Sequence, residues 1–75
     1  MKTDILTFEI EREEDGGYVA VAETPDGHIY TQADSIEELK AEIRDAVETH
    51  FEDNRENMPA TVRLVETEVM ELVAA

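Results

Sequence analysis

Two histidines, twenty carboxylates and a few hydroxyl side chains are the groups in this 75-residue chain that are able to do chemistry. His28 follows a turn, and His50 falls in the last turn of a predicted helix, where a positive imidazolium meets the negative helix end. Nothing in their spacing resembles a metal pair. A two-metal nuclease needs several carboxylates converging on one spot. Here Glu9 and Glu11 alternate out of one strand, and Glu13-Glu14-Asp15 lead into a turn, which are positions that solvated residues take. No twelve-residue calcium loop and no G-x-S-x-G elbow occur. Gly16-Gly17 joins strand to strand rather than strand to helix, so it is not a phosphate loop. Cysteine is absent, which removes thiolate metal sites, cysteine nucleophiles and a disulfide framework. The expectation is a non-enzymatic chain with no catalytic residue, metal, cofactor or small-molecule substrate.

Charge bounds the partners. Twenty Asp and Glu against six Lys and Arg give a net charge of -14, and only Lys2 and Lys40 are lysines. Such a chain repels phosphate backbones, and Arg12, Arg55 and Arg63 are isolated, so no direct nucleic-acid binding is expected. Acidic, lysine-poor composition fits adaptation to a salty cytoplasm, because salt screens self-repulsion. The other reading is an acidic surface matched to a basic partner. Acid spread over every segment favours the first. The N-terminus, MKTDILTFEI, alternates polar and apolar residues and carries Asp4, so it is no signal peptide. No apolar run approaches the ~20 residues of a membrane span. A soluble cytoplasmic protein with no membrane contact is expected.

The elements follow from periodicity. Leu6, Phe8 and Ile10 alternate with Thr7, Glu9 and Glu11, as in a half-buried strand. Asp15-Gly16-Gly17 supplies an Asp-Gly hairpin signal of type I′. Tyr18 to Glu23 is a second strand, apolar on both faces and so central in the sheet. Thr24-Pro25-Asp26-Gly27 reads as a type I turn, with Pro at the second position and Gly at the fourth. It leads into a third strand, His28 to Gln32. Ser35 and Glu38 form an S-x-x-E capping box. The helix they open runs to about Glu52, with Ile36, Leu39, Ile43, Ala46, Val47 and Phe51 in one apolar stripe. Asp53 to Pro59 is a loop. Thr61 to Glu66 alternates again, with Val62 and Leu64 inward, and Val69 to Val73 continues the strand or forms a fifth.

The fold class is therefore α+β. An antiparallel three-stranded meander is followed by one helix packed on the sheet and then by one or two further strands, in the order β-β-β-α-β. The residues with structural roles are Asp15, Gly16, Gly17, Pro25, Gly27, Ser35 and Glu38. A helix with one apolar stripe covers one sheet face. The other face, carrying some of Tyr18, Ala20 and Ala22, lacks a cover, which in a domain this small argues for a homodimer.

Four stretches carry a resemblance. Phe8-Glu9-Ile10-Glu11, Asp15-Gly16-Gly17-Tyr18-Val19-Ala20, Thr31-Gln32-Ala33-Asp34-Ser35-Ile36-Glu37-Glu38-Leu39 and Ile43-Arg44-Asp45-Ala46-Val47 occur in order and at the right spacing. Together they resemble the HicB antitoxin family over roughly residues 8 to 48. The resemblance implies a truncated RNase H-like domain that lacks the catalytic carboxylates of that fold. It also implies a protein partner, the small basic RNA-cleaving toxin HicA. A solitary HicB-like adaptor without a toxin is the alternative, and a metal-dependent nuclease of the RNase H type is a weaker one. Ala33 stands where the family has Gly, Pro25-Asp26-Gly27-His28 replaces a Pro-Gly-Cys turn, and Glu42 stands where Asn is common. The sequence holds no ribbon-helix-helix or helix-turn-helix segment after the match, so a single domain over residues 1–75 is expected, without DNA-binding function.

Overall fold

A computed structural model of the chain describes residues 5–68, 70 and 72. Its elements are β1 (Ile5–Arg12), β2 (Tyr18–Thr24), β3 (Gly27–Ala33), α1 (Ile36–His50), a 3-10 turn (Arg55–Asn57) and β4 (Thr61–Thr67). They form one four-stranded sheet in the order β3-β2-β1-β4. β1 to β3 are the expected antiparallel meander, and β4 lies parallel to β1 at the sheet edge. The α+β class and the β-β-β-α-β order agree with the sequence. The stretch Val69 to Val73 lies largely outside the described residues.

The helix forms where its signals sit. The amide of Glu38 donates to Ser35 Oγ at 3.2 Å, closing the amide half of the capping box. Glu37 and Glu38 lie in the first turn and His50 in the last, both matched to the helix dipole. The helix ends with Phe51 as C-cap, one residue before the expected Glu52. Its stripe of Leu39, Ile43 and Val47 is buried against Leu6, Phe8, Ile10, Ala20, Ala22 and Ile29 of the sheet. Phe8 and Leu39 are fully enclosed and form the centre of the core. Ile36, Ala46 and Phe51 pack against its rim.

The two hairpins differ. Thr24 pairs with Gly27 across Pro25-Asp26, and neither central residue takes positive φ, as a type I turn requires. Gly27 itself has φ 143°. The first hairpin departs from the expected type I′ turn, which needs positive φ at both Asp15 and Gly16. Only Gly16 is positive, at φ 98°. Its amide donates to the Glu13 carbonyl at 3.0 Å, the Glu13 amide donates to the Gly17 carbonyl at 2.7 Å, and the Gly17 amide donates to Asp15 Oδ1 at 3.2 Å. The loop thus holds three residues, Glu14, Asp15 and Gly16, rather than two.

That one extra residue turns β2 over. A two-residue loop would set Ile10 opposite Val21, whereas Ile10 faces Ala20. Because side chains alternate, a slip of one residue exchanges the two sheet faces. Ala20 and Ala22 are therefore buried under α1, and Tyr18 packs partly against the core. The uncovered face carries Val19 and Val21, not the expected Tyr18, Ala20 and Ala22.

Candidate functional site

Among the described residues, no element covers the sheet face turned away from α1. Strand alternation and the register place Ile5, Thr7, Glu9 and Glu11 of β1 on it. They share it with Val19, Val21 and Glu23 of β2, with His28, Tyr30 and Gln32 of β3, and with Arg63 and Val65 of β4. One row crosses all four strands: Tyr30 faces Val21, Val21 faces Glu9, and Glu9 faces Val65. At the usual strand spacing the row is ~14 Å wide. Tyr30 is 56% exposed, Ile5 44% and Val65 42%, which is unusual for large apolar side chains. Beside this row lies a second, of Gln32, Val19, Glu11 and Thr67.

The face pairs apolar area with negative charge. Glu9 stands between Val21 and Val65, and Glu11 and Glu23 lie next to the valines. Arg63 is the one lysine or arginine among these residues. Such a surface matches a ligand that presents apolar groups with a cation set among them. Tyr30 adds a hydroxyl, which donates to Gln32 Oε1 at 3.4 Å along β3.

An acidic cleft of about 490 Å³ lies at the other side of the first hairpin. Asp15 from the turn, Asp34 before the helix, and Glu38 and Glu42 from α1 line it, with Tyr18 and Gln32. The hairpin loop and the helix start bring these acids together from three separate segments. The Arg12 guanidinium sits 5.5 Å from the Tyr18 ring centre and covers that ring.

The residues singled out from sequence stand apart from one another. Asp15, Gly16 and Gly17 shape the first turn, Pro25 and Gly27 the second, and Ser35 with Glu38 the helix start. His28 is exposed on the open face, opposite Glu23. His50 packs edge-on against Phe51 and lies 3.3 Å from Thr24 Oγ1, tying the helix end to the second turn. Among the described residues, no group of three or more His, Cys, Asp or Glu side chains is placed to hold a metal ion. Among them too, no helix is long and apolar enough to cross a membrane. Sequence reasoning missed Val19, Val21, Tyr30 and Val65 as surface residues. The missing signal was loop length, since the parity of β2 follows from the count between Glu13 and Gly17.

No family model matches the chain, and no solved structure gives a significant match. A protein of Archaeoglobus fulgidus described as UPF0150 protein is 53% identical over 53 residues, which span 69% of this chain and 74% of the relative. Identity at that level over that share of both chains implies a common fold and common descent, and this chain belongs to the UPF0150 family.

Proposed function

We propose that this chain is a protein-interaction domain whose open sheet face binds a small basic protein, in the manner of the antitoxin of a HicA/HicB pair. The observation that carries the reading is the row Tyr30–Val21–Glu9–Val65, apolar area set around a carboxylate on a face that no other element among the described residues covers. The net charge of -14 supports it, because long-range attraction speeds encounter with a basic partner and disfavours acidic ones. The four HicB-like stretches direct the reading to a toxin rather than to any basic protein.

Affinity purification of the tagged chain from its host in high-salt buffer, read by mass spectrometry, tests it. The expected result is a stoichiometric small basic protein that cleaves RNA alone and stops when the chain is added back. Recovery of the chain with itself only, or of a partner without RNA-cleaving activity, would replace the antitoxin reading with that of a solitary adaptor.

A further inference from the structure

β3 is an edge of the sheet, and among the described residues it is paired on one side only, with β2. The first hairpin fixes which backbone groups that leaves free. The Glu13 amide donates to the Gly17 carbonyl, so the hydrogen-bonded pairs farther along β1 and β2 are Glu11 with Val19 and Glu9 with Val21. Ala20 and Ala22 therefore turn their amides and carbonyls toward β3, where Thr31 and Ile29 meet them. The amides and carbonyls of His28, Tyr30 and Gln32 point the other way, at the free edge. β3 also lacks the devices that keep an edge from taking a further strand. Its residues include no Pro, Lys, Asp or Glu, and its register with β2 runs unbroken from Gly27 to Ala33.

A groove of about 450 Å³ runs beside this edge on the helix side. Residues His28 to Thr31 form one wall, and Glu42, Asp45 and Thr49 of α1 stand along the other. Among the described residues, no lysine or arginine lines it. In a strand added to β3, the residues opposite Ile29 and Thr31 carry their side chains on the helix side, at this groove. The residues between them lie beside His28, Tyr30 and Gln32 on the open face. Side chains at the groove thus meet two carboxylates, which cations at i and i+2 would match. The chain itself holds no such strand. Its cations are Lys2, Arg12, Lys40, Arg44, Arg55 and Arg63, and no two stand at i and i+2. Two copies joined through β3 would bring Glu42 and Asp45 of each toward those of the other, at like charge.

We propose that the free β3 edge takes up an extended segment of a basic protein as a fifth strand, with Lys or Arg at alternate positions beside Glu42 and Asp45. Backbone bonds to His28, Tyr30 and Gln32 hold the segment, and the two acids select its charge pattern. The source of that segment rests on the basic-partner reading, whereas the edge and its groove are surfaces which that reading does not use.

Two end-capped synthetic peptides of one composition and charge test it on the full chain: TVKVKVT, with lysines at i and i+2, and TVKKVVT, with lysines adjacent. At moderate salt the alternating peptide is expected to bind at least ~10-fold more tightly. It should slow hydrogen exchange at the amides of His28, Tyr30 and Gln32 and leave those of Ile29 and Thr31 unchanged. Gln32→Pro removes one edge amide and keeps every bond to β2, so it should weaken this peptide ~10-fold with the fold kept, as circular dichroism checks. Gln32→Ala retains the amide and should change binding less than ~2-fold. Glu42→Lys with Asp45→Lys should abolish the preference for the alternating peptide. No binding of that peptide, equal binding of the two by wild type, protection on another element, or Gln32→Pro binding as tightly as wild type would each overturn strand addition. A basic host partner captured through the open face would stand even then. Peptide binding at the edge with no basic partner recovered from the host would instead overturn the basic-partner reading and leave the edge as a strand-binding site.

Discussion

Phe8→Ala is expected to abolish most of the folding stability. Phe8 has no exposed surface, sits on one of the two central strands, and belongs to the core formed with Leu39, Ile43 and Val47. Truncating an enclosed Phe removes its transfer free energy and leaves a cavity, for a loss of about 3–5 kcal/mol. A domain of this length has a total stability of roughly 4–11 kcal/mol. Urea unfolding followed by circular dichroism should show the midpoint collapse toward zero denaturant. Val21→Ala, on the open face, should move it by about 1 kcal/mol or less. A loss below ~1 kcal/mol for Phe8→Ala would mean that the core is not centred where β1 meets α1.

Thermal stability is expected to climb steeply with salt. The net charge of -14 is carried on one small body, so many carboxylates lie within reach of one another. Two like charges ~10 Å apart repel by about 0.4 kcal/mol in water. The Debye length falls from ~10 Å at 0.1 M to ~3 Å at 1 M, which removes most of that repulsion. At 0.1 M screening already cuts each such pair to ~0.15 kcal/mol, so relief of about fifteen pairs amounts to ~2 kcal/mol, or a rise in Tm of roughly 8–16 °C for a domain of this size. Melting in dilute and in molar KCl measures it. Equal Tm values would dismiss salt adaptation as the reason for the acidity and leave partner recognition as its explanation.

Local signals carried most of the fold. Ser35 and Glu38 marked the helix start, Leu39, Ile43 and Val47 marked its inward face, and Pro25 to Gly27 marked a turn, because each works through neighbours a few residues away. The parallel pairing of β4 with β1 was not legible. Its partners, such as Phe8 and Leu64, are far apart in sequence, and neither strand's alternation names the other. The candidate site was missed for a narrower reason. β2 is apolar on both faces, so its own pattern does not choose between Val19 with Val21 and Ala20 with Ala22. The choice rests on one residue in the hairpin loop, where the Glu13 amide donates to the Gly17 carbonyl across three loop residues. Asp15-Gly16 looks like a two-residue turn in sequence and is the end of a three-residue loop in space.

Recognition of a basic protein by the open sheet face is tested by a paired purification from the host, with wild type and with Val21→Lys combined with Tyr30→Lys. Both side chains lie on that face outside the core, so the fold should be kept, which circular dichroism checks. Two added cations between Glu9 and Glu23 would repel a basic partner and break the apolar row. A small basic protein is expected in stoichiometric amount with wild type, reduced at least ~100-fold with the folded double variant. The same partner retained equally by both would contradict it and assign recognition to another surface.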